Sequence, residues 1–264
     1  MSVVAILSQK GGVGKTTVCL GMAEAARRSG WNVLVIDLDP QANASDVLLE
    51  HPPPLTINDV LADGRPNIAN EAVVPSTWGP VLDVLGSEQA LENRNRDASA
   101  ASATRLRTAL GDLRSSYDLI LIDCPPSIGE LTVNALTAAD RAVTVTEPGY
   151  FALRGAEQAL QAIAVVRDAT NLSLRTGGII VNRYRANVRE HRLRVTELLE
   201  AYPGLLLNPL LPERSAIATA HGAGLPIQQL KTREAHRLAD DFDELVRAVA
   251  GPRSTGRRGQ KGAI

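Results

Sequence analysis

The chain of 264 residues has few cysteines, few histidines and no long apolar run. Cys19 and Cys124 lie far apart within or beside apolar segments, which excludes a disulfide scaffold and a cysteine-rich metal site. No apolar stretch approaches the roughly 18 residues that a membrane-spanning helix needs. A strand-like segment begins at Val3 and leaves no room for a signal peptide. We therefore expect a soluble, cytoplasmic protein with no membrane partner.

Apolar segments of strand length recur along the chain and alternate with segments of helical periodicity. Continuously apolar strands separated by helices predict an α/β fold, with a mostly parallel twisted sheet covered by helices on both faces. The predicted strands are Val3–Leu7, Val33–Ile36, Val81–Leu85, Leu119–Ile122, Ala142–Thr146, Gly178–Val181 and Leu205–Leu211. The predicted helices are Lys15–Ala26, Ile57–Ala62, Ser99–Ser115, Gly129–Ala139, Gly155–Ala169 and Arg189–Ala201, and Asp241–Val249 is an amphipathic segment expected to dock on the core.

The segment from Lys10 to Thr17 (KGGVGKTT) lies between the first predicted strand and the first helix. Its glycines let the backbone turn tightly and direct N–H groups at an anion, and the helix N-terminus adds partial positive charge there. Lys15 would reach the β- and γ-phosphates of a nucleotide, and the Thr16 hydroxyl would complete a Mg²⁺ shell. The alternative is a glycine-rich turn without a ligand. The preceding strand, the following helix and the Lys-Thr pair favour a phosphate loop.

Two further predicted strands end in acidic residues. Asp37 and Asp39 follow the second strand, where a carboxylate beside the phosphate loop could orient a water molecule against a γ-phosphate. Asp123 ends the strand Leu119–Ile122, in the form of the Walker B element whose aspartate helps hold Mg²⁺. Each pattern is weak alone, because strand-end carboxylates are also helix caps or solvated groups. In this order, and together with the loop, the patterns indicate a P-loop NTPase.

The three motifs together resemble the ParA/MinD family of deviant Walker ATPases. They are Lys10–Thr17, Asp37–Gln41 (DLDPQ) and Asp123–Ser127 (DCPPS), and the resemblance continues through Leu211–Arg214 and Gly224–Ile227. The Pro-Pro-Ser sequence after Asp123 is similar to the ParA (Soj-like) partition branch, whereas the MinD branch typically has Pro-Ala-Gly. The resemblance implies one ATPase domain over residues 1–250, and the composition predicts a disordered basic tail over 251–264.

Residue roles follow from the resemblance where the motifs match. Lys10 would cross an ATP-dependent homodimer interface and contact the phosphates bound by the partner. The alternative interpretation is that Lys10 is a solvated lysine at the entrance of the loop. The nucleotide would be bound by Gly11, Gly12, Val13, Gly14, Lys15, Thr16 and Thr17. Asp39 would activate the attacking water. Mg²⁺ would be surrounded by Thr16, Asp39 and Asp123. Asn182 would contact adenine and Pro212 would close over the base, although Asn182 is equally typical of a strand-end turn.

Basic residues concentrate towards the C-terminal part of the chain. Residues 183–237 contain nine basic and five acidic residues, a net charge of +4 within a chain of net charge −1. Phosphate contacts of this kind give DNA binding that is independent of sequence. By resemblance, Lys231, Arg233 and Arg237 would contact nucleoid DNA, with the basic tail adding attraction. Glu213 and Ala216 depart from this pattern, because several relatives carry arginine at these positions.

No second catalytic constellation is visible in the sequence. The four histidines are scattered outside the motifs, and no Cys-x-x-Cys pair is present for an iron–sulfur cluster. The leading interpretation is a ParA-type ATPase that moves a cargo, with a ParB-like or other adaptor protein as its partner. One alternative is a MinD-like positioning ATPase acting at a membrane or protein scaffold. A metabolic P-loop enzyme is a further alternative.

Overall fold

The computed structural model describes residues 1–96, 102–213 and 215–251. Seven strands form one sheet in the order β3-β4-β2-β5-β1-β6-β7. All neighbouring strands are parallel except β3, which pairs antiparallel with β4 at one edge. The strands are β1 (Ser2–Leu7), β2 (Val33–Asp37), β3 (Val73–Pro75), β4 (Leu82–Leu85), β5 (Leu119–Asp123), β6 (Arg141–Thr146) and β7 (Arg175–Val181).

Helices cover both faces of the sheet. Alternate residues of β1 enter opposite layers, with Val4 and Ile6 in the layer that contains α1 and α10, and Val3 and Leu7 in the layer that contains α5 and α6. The helices are α1 (Lys15–Arg28), α2 (Asn43–Leu48), α3 (Ile57–Asp63), α4 (Ala69–Ala72), α5 (Arg105–Leu110), α6 (Glu130–Ala138), α7 (Ala152–Ala169), α8 (Arg189–Ala201), α9 (Ser215–Gly222) and α10 (Arg233–Ala250). The predicted fold class is confirmed.

The predicted strand Leu205–Leu211 is wrong. The segment touches the sheet edge at isolated points, where the Leu207 N–H donates to Ile179 O (2.8 Å) and the Leu211 N–H donates to Val181 O (2.9 Å). Pro209 lies between these contacts and has no N–H, so a continuous ladder cannot form. The chain instead follows the edge of β7 loosely, and this brings Pro212 beside the carboxyl end of the sheet.

The predicted helix Ser99–Ser115 is broken. Its first three residues lie outside the described part of the chain, and the α-helix that follows ends at Leu110. Gly111, with φ 37° and ψ −121°, interrupts the helix before a 3₁₀ segment that continues to Ser116. Edge strand β3 is an element that the sequence interpretation did not include, because it has only three residues.

The amphipathic segment near the C-terminus docks on the core as expected. It is part of α10, whose Phe242 packs so closely on α1 that a Cβ at Gly21 would lie 2.3 Å from the ring. None of the helices described is long and apolar enough to cross a membrane. The predicted basic tail lies outside the described residues from position 252 onward.

Candidate nucleotide site

The phosphate loop connects β1 to α1 at the carboxyl edge of the sheet. Gly12 and Gly14 have positive φ angles of 79° and 89°, which other residues rarely adopt. A Cβ at Gly14 would also lie 2.2 Å from Nδ2 of Asn182, so close packing excludes a side chain there. Both glycines are therefore required by the backbone path that turns the loop into α1.

Helix α1 follows the loop directly, and the first N–H groups of an α-helix have no partner within the helix. Gly14, the N-cap residue before α1, supplies no side-chain cap, and the first turn of α1 contains no acidic residue. Lys15 is buried, with 6% of its surface exposed, while Thr16 and Thr17 are half-buried. A helix N-terminus with this arrangement favours an anion. The predicted phosphate-binding residues are thus brought together in one loop.

Asp37 and Asp123 are direct neighbours at the ends of two adjacent strands. Asp37 is fully buried and accepts hydrogen bonds from the N–H (2.8 Å) and hydroxyl (2.7 Å) of Ser45. The Asp39 N–H also donates to Asp37 (3.2 Å). Burial raises the pKa of Asp37 above its ordinary value, and these hydrogen bonds oppose the rise. Asp37 therefore anchors the backbone that carries Asp39.

Asp123 is buried but, among the described residues, neither of its carboxylate oxygens has a hydrogen-bond partner. Burial, followed by the charge of Asp37, raises its pKa, while the Thr16 hydroxyl and the Lys15 charge act in the opposite direction. Unpaired buried oxygens are costly and require compensation. A Mg²⁺ ion that coordinates carboxylate and phosphate oxygens would provide it.

The described residues contain no group of three or more His, Cys, Asp or Glu side chains placed to hold a metal ion by themselves. Mg²⁺ commonly binds through one or two carboxylates together with waters and substrate phosphates. Asp123, beside Thr16 and below the phosphate loop, matches that donor set. The site therefore fits a metal that arrives with a nucleotide and does not fit a permanently bound ion.

Asp39 is almost fully buried and is held on both sides. One of its carboxylate oxygens accepts a hydrogen bond from the Gln41 N–H (3.0 Å), and its carbonyl oxygen accepts one from the Ser87 hydroxyl (2.8 Å). The Ser87 N–H donates in turn to the Ser45 hydroxyl (2.8 Å). The two serines tie the Asp37–Asp39 segment to the end of β4. Neither belongs to a motif, so the sequence interpretation missed them.

Lys10 contrasts with Lys15 in the same loop. The Lys10 side chain is 60% exposed, and its Nζ lies 3.3 Å from the Glu147 carboxylate. Glu147 also accepts a hydrogen bond from Arg183 (2.6 Å). The Glu147 carboxylate therefore lies between two cations, Lys10 and Arg183. Glu147 itself was missed, because 137 positions separate it from Lys10.

The Asn182 side chain packs against the phosphate loop. Its Nδ2 donates to Val13 O (2.8 Å), while its Oδ1 is buried and has no partner among the residues described. The Val13 carbonyl fixes the orientation of the amide, because only the NH₂ group can donate to it. Asn182 therefore presents an unused acceptor beside the nucleotide loop. Pro212 forms an isolated bridge with Tyr184 at the same edge of the sheet.

The basic residues of the C-terminal part form two groups. Those between 183 and 194 are largely engaged: Arg183 with Glu147, Arg185 with Glu213, and Arg194 with Glu190 and Glu197. Lys231, Arg233 and Arg237 are exposed at the start of α10, with no ion pair to another part of the chain that the structure describes. These three residues are outside the phosphate-loop cluster. Arg214 lies outside the described residues.

Comparisons with known proteins find relatives that match most of the chain. A family model described as an AAA domain matches residues 1–176. The sporulation initiation inhibitor protein Soj of Bacillus subtilis is 30% identical over 94% of this chain and 98% of its own length. The chromosome partitioning protein ParA of Myxococcus xanthus is 34% identical over 85% of this chain and 80% of its own.

A solved structure also superimposes closely on the chain. It is the cobyrinic acid a,c-diamide synthase of Mycobacterium smegmatis with bound ATP analogue and magnesium, which is 29% identical. The match has a TM-score of 0.80 and covers 94% of each chain. Considered with the phosphate loop and the two strand-end acids, the identities to Soj and ParA show that this chain belongs to the ParA/MinD family of deviant Walker ATPases, on its ParA (Soj-like) branch.

Proposed function

We propose that this protein is an Mg²⁺-dependent ATP hydrolase that dimerises on ATP, binds DNA without sequence preference and positions a chromosome, plasmid or other cargo. The observation that carries the proposal is the buried carboxylate of Asp123, which lies unpaired beneath a phosphate loop whose lysine is also buried. A ParB-like or other adaptor protein would stimulate hydrolysis and reset the switch. Residues 1–250 would act as one ATPase unit in the cytoplasm, associated with the nucleoid.

Each residue of the site has a chemical role in this proposal. The N–H groups of residues 11–17 and the Lys15 ammonium would bind the phosphates, and Thr16 with Asp123, next to Asp39, would hold the metal. When bound, Mg²⁺ neutralises the charge that develops on the phosphate oxygens. Asp39, fixed by Gln41 and Ser87, orients the attacking water. Hydrolysis of this kind depends on positioning and electrostatics and needs no covalent intermediate.

Asn182 would give the site its preference for adenine. Because its NH₂ group is used by Val13 O, the unpaired Oδ1 is an acceptor and suits a base edge that donates, such as the adenine amino group. Guanine has a carbonyl oxygen at the position of the adenine amino group. Two acceptors, this oxygen and Asn182 Oδ1, would then face each other without a hydrogen bond. Pro212, at the same edge, would close over the base.

Lys10 would change partners when the protein dimerises. In this structure its charge is balanced by Glu147, at 3.3 Å. In an ATP-bound dimer Lys10 would leave this exposed ion pair for the phosphates of the second copy. Exposed ion pairs are worth about 1 kcal/mol or less, so the exchange costs little.

The start of α10 would provide the DNA contacts. Lys231, Arg233 and Arg237 are exposed and without ion-pair partners among the described residues, whereas several arginines between 183 and 194 are neutralised by glutamates. Unpaired surface cations can replace the counterions of a phosphate backbone, giving salt-dependent binding.

Co-sedimentation with DNA and with anionic liposomes, each with ATP and Mg²⁺, tests the proposal. We expect ATP-dependent binding to DNA of unrelated sequences, which weakens as salt rises, and no ATP-dependent binding to liposomes. Liposome binding without DNA binding would instead support a MinD-like positioning ATPase.

A metabolic P-loop enzyme is a second candidate, favoured by the structural match to the diamide synthase. It predicts turnover that depends on a small-molecule substrate and no dimer that depends on ATP. ATP hydrolysis stimulated by DNA and an adaptor protein, without a small-molecule acceptor, would exclude it.

A further inference from the structure

A cavity opens at the edge of the sheet where the parallel strands begin, opposite the edge that carries the phosphate loop. Its volume is about 300 Å³, and it lies between the start of β6, the start of β7 and the end of α10. Asp140, Arg141, Ser173, Arg175 and Ala250 are among the residues that line it. Cavities of this size and larger hold small-molecule ligands.

Two arginines occupy neighbouring positions in this cavity. Arg141 is the first residue of β6, Arg175 is the first residue of β7, and the two are register partners. Neighbouring strands lie about 4.8 Å apart, so the two side chains leave the sheet side by side. Arg141 is half-buried and Arg175 is exposed. Both guanidinium groups stay charged, and adjacent cations repel each other unless an anion lies close to both.

The acidic residue that lines the cavity does not neutralise this pair. One carboxylate oxygen of Asp140 accepts a hydrogen bond from the Arg114 guanidinium (2.8 Å), and the other accepts one from the Val3 N–H (2.8 Å). Arg114 thus offsets the charge of Asp140. Neither Arg141 nor Arg175 forms an ion pair or a side-chain hydrogen bond with any residue that the structure describes. The cavity therefore keeps the positive charge of both arginines.

Other charged side chains near this edge are engaged elsewhere. Asp118 does not line the cavity, and its carboxylate accepts a hydrogen bond from the Asn32 N–H (2.9 Å). Burial raises the pKa of Asp243 on α10, and the charges of Arg28 and Arg247 oppose that rise. The charge of Arg247, in the last turn of α10, is therefore partly offset by Asp243. These groups leave the excess of positive charge in the cavity unchanged.

The main chain and the C-terminal sequence do not remove that excess either. Helix α10 ends at Ala250 beside the cavity, and a helix C-terminus carries a partial negative charge of about one half. This is smaller than the two full charges of the arginine pair. The sequence after Gly251, outside the described residues, contains four basic and no acidic residues. It therefore has no carboxylate side chain to neutralise the arginines.

We propose that Arg141 and Arg175 form a second anion site, which binds a phosphate-bearing small molecule. The planar guanidinium group matches two oxygens of a phosphate, and two such groups side by side add their contacts. A water molecule takes about 30 Å³ of liquid volume, so one phosphate group fills only part of the cavity. The space suits an organic phosphate better than inorganic phosphate. The site is separate from the phosphate loop and does not depend on the proposed dimer or on DNA binding.

A chemical-shift titration of the ¹⁵N-labelled chain tests the site, with inorganic phosphate and fructose 1,6-bisphosphate as separate probes. We expect saturable shifts of the backbone amides of Arg141, Ser173 and Arg175, with the bisphosphate binding about tenfold more tightly than inorganic phosphate. Equal affinity for the two probes would identify inorganic phosphate as the ligand. The phosphate loop also attracts these probes, but the amides of Gly12 and Gly14 report that site separately.

Variants assign the response to the arginine pair. Arg141→Gln combined with Arg175→Gln should weaken binding at the Ser173 amide about tenfold or more, while the shifts at the phosphate loop stay the same. Arg154→Gln combined with Arg189→Gln is the matched control, because it removes the same charge from exposed positions that do not line the cavity. Without a probe, the variant of the cavity pair should unfold at a temperature no lower than the wild type, because the repulsion is gone.

The outcomes separate this inference from the proposed function. A wild-type chain without saturable shifts at the cavity, or a variant of the cavity pair that binds both probes as the wild type does, overturns the second anion site alone. Weaker DNA binding by that variant, with no response of the wild-type cavity to either probe, would assign the two arginines to a DNA backbone and reject a small-molecule ligand. Loop amides that fail to respond to ATP with Mg²⁺ would overturn the proposed function and leave the second site untouched.

Discussion

Lys10 and Lys15 lie five positions apart in one loop, yet Lys15 is 6% exposed and the Lys10 side chain is 60% exposed. Lys15 belongs to an inner half of the site, which also contains the buried acids Asp37, Asp39 and Asp123. Lys10 belongs to an outer half, with the exposed side chains Tyr150 and Phe151. The inner half is assembled by this chain alone. The outer half carries exposed charge and apolar surface of the kind that another molecule covers.

The largest expected effect is loss of nucleotide binding when the inner lysine is removed. Lys15→Ala deletes charge-assisted contacts to phosphates, each worth about 1.5–3 kcal/mol, so ATP affinity should fall at least 100-fold in calorimetric titration. Lys10→Ala, in the outer half, should keep the affinity of the monomer within about threefold. Equal losses in the two variants would break the distinction between the halves.

The next effect concerns hydrolysis without loss of binding. Asp39→Ala removes the group proposed to orient water and should reduce the rate of ATP hydrolysis about 100-fold or more while ATP remains bound. An ATP-bound dimer should then accumulate. Asp46→Ala, an exposed acid on neighbouring α2, is the matched control and should hydrolyse ATP normally. Normal hydrolysis by Asp39→Ala would reject its catalytic role.

Without a nucleotide, the buried carboxylates of the inner half should lower the folding stability of the chain. Burial and Asp37 raise the pKa of Asp123, so the contribution of Asp123 to folding stability is present at low pH and is lost as pH rises through that raised pKa. Asp123→Asn should therefore increase the free energy of unfolding above that pKa by about 1–3 kcal/mol and weaken Mg²⁺-dependent nucleotide binding. Denaturant unfolding at several pH values measures the first effect.

Asp168→Asn controls for the loss of a carboxylate at an exposed position, since the Asp168 side chain is 71% exposed. Its stability should change little at any of these pH values. If Asp123→Asn were no more stable than the wild type at high pH, the unpaired oxygens of Asp123 would not be lowering the free energy of unfolding of the wild type.

The smallest expected effect is a difference in DNA binding between two variants, one of a surface cation without an ion-pair partner and one of a surface cation that has such a partner. Arg233→Glu should weaken DNA binding roughly threefold to tenfold and reduce the slope of log affinity against log salt by about 1. Arg185→Glu changes the charge equally, but Arg185 is already paired with Glu213 (2.9 Å), so we expect a smaller loss. Fluorescence anisotropy with labelled DNA at several salt concentrations compares the two. Equal changes in DNA affinity and in its salt dependence would show that the start of α10 contributes no more to DNA binding than the surface around Arg185.

The inner half was largely predictable from the sequence because its residues lie in short motifs. Glycines, lysine and threonine at fixed offsets form the loop, and the apolar strands that end at Asp37 and Asp123 bring both acids to the same sheet edge. The carboxyl ends of parallel strands meet at one edge, so local patterns were sufficient.

The outer half was not predictable in the same way. Glu147 reaches Lys10 across 137 positions. Within the inner half, the serine contact was missed for the same reason, because Ser87 reaches Ser45 across 42 positions. Such contacts depend on strand order and loop path, which no local pattern specifies. The strand expected at Leu205–Leu211 failed for a related reason, since its apolar residues do follow the sheet edge but Pro209 prevents a ladder.

We infer that a second copy of the chain completes the outer half of the nucleotide site. Sedimentation velocity with a saturating non-hydrolysable ATP analogue and Mg²⁺ tests it most directly, comparing the wild type with Lys10→Ala. We expect a wild-type dimer only when nucleotide is present, and a Lys10→Ala chain that binds nucleotide but remains a monomer. A wild type that stays monomeric at saturation, or a Lys10→Ala variant that dimerises as the wild type does, would contradict it.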